Sequence, residues 1–92
     1  MIVSFIHKGL ERFYKTGKVS GIQSNHVKKL RLILSNMDQA ETIDDMDLPG
    51  LRLHELKGGR KGVWSVTVSG NWRITFRFTG KDIEIVNYED YH

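Results

Sequence analysis

The alternation of apolar and polar positions is strongest over residues 62–79. Trp64, Val66 and Val68 alternate with Ser65, Thr67 and Ser69, and Trp72, Ile74, Phe76 and Phe78 alternate with Arg73, Thr75, Arg77 and Thr79. A period of two marks strands with one buried and one wet face. Ser69-Gly70-Asn71 supplies the turn between them, because Gly and Asn tolerate the positive φ of tight hairpins. The pattern predicts a β-hairpin with an aromatic and β-branched back and a front that carries Arg73 and Arg77.

The rest of the chain reads outward from this hairpin. Ile2 to Ile6 is a short strand candidate. Gly9 to Thr16 is a short helix with Leu10, Phe13 and Tyr14 on one stripe and Gly17 as its C-terminal cap. Ser24 is placed to cap a second helix from Asn25 to about Met37, with Val27, Leu30, Ile33, Leu34 and Met37 on its apolar face. Gln39 to Asp47 is acidic and without a sustained period, with room for one further helical turn. Asp47-Leu48-Pro49-Gly50 is a turn signal. Strand spacing resumes over Leu51 to Leu56, with Leu51 and Leu53 opposed to Arg52, His54 and Leu56. A basic glycine loop, Lys57 to Gly62, leads into the hairpin. Asp82 to Asn87 is a last strand, with Ile83 and Ile85 alternating against Glu84 and Val86. The order β, α, α and then four antiparallel strands predicts one α+β domain over residues 1–92, with two N-terminal helices packed on one face of the sheet.

Composition adds constraints. Hydrophobic residues at 39% and charged residues at 27% are globular values. The absence of cysteine excludes a disulfide scaffold and thiolate chemistry and fits the reducing cytoplasm. The N-terminal apolar run is too short for a signal peptide or a membrane span. The formal net charge of +3 is unevenly spread. Acids concentrate between Asp38 and Asp47, and bases between Arg52 and Arg77. A basic sheet half suits a polyanion such as nucleic acid, and equally suits a plain solvated surface.

Several chemistries are excluded by spacing. His7, His26, His54 and His92 are scattered, with no ligand-spaced pair, so no zinc site or other cofactor is expected. The loop Gly58-Gly59-Arg60-Lys61-Gly62 neither opens a helix nor matches a phosphate-binding P-loop. What remains is a set that antiparallel pairing could gather at one edge of the sheet: His54 and Lys57, Arg73, and the terminal Asp90, Tyr91 and His92. These suit RNA cleavage by the ribose 2′-OH, which needs a base near that hydroxyl, cations on the phosphate and an acid for the 5′-oxygen. Each member also has a plainer reading. His54 fits a half-buried strand residue, Lys57 a solvated loop, Arg73 a partner of Glu84 or Glu89, and residues 90–92 a frayed terminus.

At these residues the chain resembles a known family. Met1 to Leu10, Leu53-His-Glu-Leu-Lys-Gly58, Gly62-Val-Trp-Ser-Val66, Asn71-Trp-Arg-Ile-Thr-Phe76 and Val86-Asn-Tyr-Glu-Asp-Tyr-His92 are similar to the HigB family of the RelE/ParE toxin superfamily, over the whole chain and least in the helical middle. The resemblance implies a RelE-like microbial RNase fold, with helices on a curved, mainly antiparallel sheet and RNA on its concave face. It implies a toxin of a type II toxin–antitoxin system that enters the A site of the 30S subunit and cuts the mRNA displayed there. The partners it implies are a HigA-like antitoxin, the ribosome with its 16S rRNA, and mRNA, with no membrane. The family's catalytic roles fall on His54, Lys57, Arg73, Asp90, Tyr91 and His92. His92 or Asp90 is preferred near the 2′-OH and Lys57 and Arg73 on the phosphate. His54 is preferred as proton donor or phosphate contact, and Tyr91 as the residue that stacks on or orients the base. Lys8, Lys61 and Arg77 are candidates for ribosomal RNA contacts. Two readings compete with it. A DNA gyrase poison of the ParE type needs no proton-transfer set, and a noncatalytic module would use the basic sheet only to dock on ribosomal RNA or protein.

Overall fold

The computed structural model describes residues 1–90. Two α-helices, α1 (Lys8–Thr16) and α2 (Val27–Gln39), precede four strands: β1 (His54–Glu55), β2 (Val63–Ser69), β3 (Trp72–Thr79) and β4 (Asp82–Asp90). The strands form one antiparallel sheet in the order β1-β2-β3-β4. The N-terminal segment is added alongside β4 in parallel, through bridges at Ile2–Ile83 and Phe5–Val86. Among the described residues, no helix is long and apolar enough to cross a membrane.

The hairpin forms as its alternation predicts. Ser69 pairs with Trp72 around Gly70-Asn71, and Gly70 takes the positive φ of 57° that the turn requires. The row Val66–Ile74–Tyr88 crosses the inner strands. It joins Phe76, Ile83 and Val86 in a single buried cluster with Leu10 and Phe13 of α1 and Leu30, Ile33, Leu34 and Met37 of α2. Burying a Leu, Ile or Phe side chain contributes about 1.5–3 kcal/mol relative to exposure, so this shared cluster is what holds helices and sheet together.

Three elements depart from the pattern, each for a physical reason. The strand expected over Leu51 to Leu56 is reduced to His54–Glu55, because Arg52 adopts a left-handed backbone (φ 53°) that interrupts the pleat. Leu51 and Leu56, which a regular strand would put on opposite faces, are consequently both buried. The second helix begins at Val27, after a 3-10 turn over Ser24–His26, and makes no side-chain cap; Ser24 is exposed, and it is His26 that turns inward. That helix also runs on to Gln39. In β4, Thr75 pairs with Asn87 and Arg77 with Glu84, so one extra residue is accommodated on the β4 side. That residue is Ile85, with φ 50°. The bulge shifts the buried set to Ile83, Val86 and Tyr88, where simple alternation assigns Ile83 and Ile85. The N-terminal segment holds the bulge: the Ile85 N–H donates to Ser4 Oγ at 2.8 Å and the Val86 N–H to the Ser4 carbonyl at 3.1 Å.

Both helix starts converge on Tyr88. His7 caps α1 by accepting the Leu10 N–H on Nδ1 at 2.9 Å, and its ring lies edge-on to Tyr88 with centroids 5.3 Å apart. His26 is 2% exposed, and its Nδ1 lies 2.5 Å from the Tyr88 hydroxyl. Trp72 stacks on Tyr88 at 4.6 Å. Burial lowers the pKa of His26, and the nearby Lys29 charge adds to it. The start of α1 also lies against the following loop: a Cβ on Gly9 would sit 2.8 Å from the Gly21 carbonyl oxygen, and one on Gly21 would sit 2.6 Å from the Gly9 Cα.

Two outcomes are expected. Gly9→Ala and Gly21→Ala each push backbone against backbone and should lose about 1–3 kcal/mol of stability, read as a lowered Tm; unchanged values would show that the loop can retreat freely. His26 titrates near 6.5 in the unfolded chain and lower in the folded one, so between these values the unfolded chain binds more protons. Stability from this group is full above about pH 6.5 and is lost as the pH falls. Thermal unfolding followed from pH 7.5 to 5 should show this slope, and it should shrink in His26→Asn.

Candidate active site on the polar face of the sheet

The face opposite the aromatic row is built in three cross-strand rows. Thr67, Arg73 and Glu89 form one; His54, Ser65, Thr75 and Asn87 the next; Val63, Arg77 and Glu84 the third. Its middle is not wet. Ser65 is 0% and Thr75 2% exposed. Arg60, from the glycine loop between β1 and β2, reaches Glu89 on β4, two strands beyond β2. The pair is bidentate, with Nη1 donating to Oε1 at 3.0 Å and Nη2 to Oε2 at 2.6 Å. Thr75 Oγ1 donates to the same carboxylate at 2.5 Å. Arg73 is half-buried, and its Nη1 donates to Thr67 Oγ1 at 2.6 Å.

The electrostatics follow from these partners. The Arg60 hydrogen bonds hold the Glu89 carboxyl below its ordinary range, with Thr75 and Asn87 adding to the effect against the opposing cost of burial. Glu89 is therefore an ionised carboxylate whose lone pairs are already used, which unfits it as a proton acceptor in chemistry. Its negative charge is matched by Arg60. Arg73 and Arg77 stand on the same face, so the face carries cations suited to an anion.

The residues singled out in the sequence are placed as follows. His54 is exposed on β1, with Nδ1 3.0 Å from the Arg52 carbonyl. Lys57 is exposed and immediately precedes the 3-10 turn Gly58–Arg60. Lys61 is exposed just after that turn. Arg73 and Arg77 share the polar face, and Lys8 begins α1, outside the sheet. Asp90 ends β4 opposite Trp72, hence in the row of the aromatic side, while Glu89 is the residue opposite Arg73. Tyr91 and His92 lie outside the described residues. The His54, Arg73 and Arg77 rows are thus brought to one face, and Asp90 is set on the alternate row. Arg60, Glu89, Thr67 and Thr75 are the members that residue pattern did not single out. Arg60 looks like an ordinary loop base, and the parity of Glu89 depends on the bulge. Among the described residues, no three His, Cys, Asp or Glu side chains gather as metal ligands.

An antiparallel sheet that shares a core with two helices and shows a cationic polar face defines a small α+β protein. Residues 3–92 match the HigB-like toxins, described as RelE-like toxins of type II toxin–antitoxin systems. Along all 92 residues the chain is 46% identical to endoribonuclease HigB of Proteus vulgaris, covering 100% of both proteins. The protein belongs to the HigB-like toxin family. Solved structures of similar fold include two toxins. The YoeB/ParE toxin of Agrobacterium tumefaciens has a TM-score of 0.63 at 18% identity, over 99% of this chain and 97% of that one. YafQ from E. coli strain BL21(DE3) has a TM-score of 0.57 at 22% identity, over 96% and 89%.

The Arg60–Glu89 pair carries a pH signature. A carboxyl whose pKa is lowered on folding adds stability above its unfolded value of 4.5, and that stability is lost as the pH falls through the folded value. Arg60→Gln should therefore lower the Tm more at pH 6 than at pH 3. An equal loss at both values would show that packing, and not charge, is what Arg60 contributes.

Proposed function

We propose that this toxin is a ribosome-dependent endoribonuclease that cuts mRNA in the A site of the 30S subunit and so halts translation. Membership of the HigB-like family makes it a toxin of a type II toxin–antitoxin system, with an antitoxin partner and an RNA target. The observation that carries the finer reading is the polar face, on which His54, Arg73 and Arg77 lie in adjoining rows. In this reading the helices form the back of the sheet and RNA lies along the opposite, concave face. The partner is a HigA-like antitoxin, and the setting is the cytoplasm, where ribosomes translate.

The chemistry needs only side chains. The ribose 2′-oxygen attacks the adjacent phosphorus and the bond to the 5′-oxygen breaks, leaving a 2′,3′-cyclic phosphate and a free 5′-hydroxyl. The 2′-OH proton passes to a base, for which His92 and Asp90 are the candidates. The 5′-oxygen receives a proton, with His54 the candidate donor. Arg73 and Lys57 take the charge that builds on the non-bridging oxygens; the guanidinium acts as a planar fork and the ammonium as a point charge. Tyr91 stacks on or orients the base. Lys8, Lys61 and Arg77 hold ribosomal RNA through its phosphates.

Mapping mRNA 5′ ends after induction tests this directly. The wild type should produce cuts confined to translated reading frames. His92→Gln and Lys57→Ala should reduce them by about 10²-fold or more, the range for losing a proton-transfer or charge-stabilising group. Cuts unchanged in both variants would remove this site. DNA damage with intact mRNA would point to gyrase instead, and ribosome binding unaltered by His92→Gln without any cuts in the wild type would point to a noncatalytic module.

A further inference from the structure

We propose that Arg60 is a further phosphate-binding residue of the polar face and that Glu89 is the residue that positions it, an inference that rests on reading that face as the RNA site. The argument starts from what holds each member of the pair. Glu89 is fixed by its strand: it stands opposite Arg73, accepts from Thr75 Oγ1 at 2.5 Å, and is 21% exposed at its side chain. Arg60 is held differently. It ends a 3-10 turn in the loop 57–62, where a Cβ on Gly58, Gly59 or Gly62 would meet nothing within 4 Å. A loop with so little packed around it does not aim a long side chain. The bidentate bond to Glu89 holds the guanidinium over the sheet.

The geometry also chooses which partner faces a ligand. The Arg60 side chain is 42% exposed, twice the exposure of Glu89, so the cation is the outward member. The guanidinium fork that matches carboxylate matches phosphate as well. Glu89 lies in the row of Arg73, so anchoring to it sets the Arg60 head group beside the residue assigned to the scissile phosphate. The pair has a second consequence. An unmatched carboxylate in that row would repel phosphate and cancel much of the attraction of Arg73. With Arg60 on Glu89 the row keeps a net positive charge. Glu89 thus acts through Arg60 and touches no reacting atom.

The test is mRNA cleavage on 70S ribosomes programmed with a short message, with kcat and KM measured for the wild type, Arg60→Ala, Arg60→Lys, Glu89→Gln, the double variant Arg60→Ala/Glu89→Gln, and Arg73→Ala. Loss of one charge-assisted phosphate contact should lower kcat/KM by about tenfold in Arg60→Ala, with the loss carried mainly by KM. Arg60→Lys, which keeps the charge and loses the fork, should recover part of it. Glu89→Gln should raise KM in the same direction, and the double variant should be no worse than Arg60→Ala alone, since both changes remove one unit. A KM that stays at the wild-type value in Arg60→Ala while the Tm falls would overturn the proposal in favour of a purely structural bridge. A KM that drops in Glu89→Gln would also overturn it, by showing that the carboxylate restrains Arg60 from RNA. Arg73→Ala separates the two levels. If it impairs cleavage while Arg60→Ala does not, only the role of Arg60 fails; if neither does, the reading of the whole face fails.

Discussion

One extra residue in β4 governs which side chains reach the core and which reach the polar face. Side chains on a strand alternate strictly, so an inserted residue exchanges the faces of everything beyond it. The insertion is Ile85, held at φ 50°. A left-handed backbone costs an L-residue about 1–2 kcal/mol, and a β-branched side chain gives no relief. The fold offsets this with two hydrogen bonds to Ser4 and with the burial of Val86 and Tyr88, which the shift directs inward. The same shift directs Glu89 to the polar face, opposite Arg73, and leaves Asp90 in the row of Trp72.

Tyr88 is where that shift becomes tertiary structure. Its ring meets Trp72, His7 and His26, and its hydroxyl meets His26. Two histidines that could pass for reactive groups are therefore structural: one caps α1 and the other fills the place from which α2 departs. Burial lowers the pKa of both, as expected where an imidazolium would have to give up water. The start of each helix is thereby tied to one strand residue. His54 has a different environment, exposed at the margin of the sheet.

On the other side, polar residues are buried without becoming core. Ser65 and Thr75 lie beneath a bridge that runs from the β1–β2 loop to β4. The bridge does two things. It satisfies Glu89, whose desolvation would otherwise be costly, and it keeps the face cationic around Arg73. A face of this kind attracts a phosphodiester chain by charge and orients it through the fixed forks of its arginines. On the proposed reading of this face, that links the register of the sheet to the action of the toxin on RNA.

Periodicity was enough to locate the hairpin, its turn, the apolar stripes of α1 and α2, and the glycine that ends α1, because these depend on side chains close together in sequence. It was also enough to draw attention to His54, Lys57 and Arg73, whose chemistry is visible residue by residue, and the likeness to HigB proteins lies in short local motifs. Other features needed the folded chain. The kink at Arg52 and the bulge at Ile85 place non-glycine residues where local preference disfavours them, so nothing in the neighbouring sequence announces them. The replacement of Ser24 by the buried His26 at the start of α2 depends on Tyr88, 62 residues away. The pairing of Arg60 with Glu89 spans 29 residues and two intervening strands. Local sequence determined which elements form and which groups could do chemistry. Which carboxylate stands beside Arg73 was decided only by tertiary structure, because a single inserted residue, stabilised by the distant Ser4, reverses the parity of the strand that carries it.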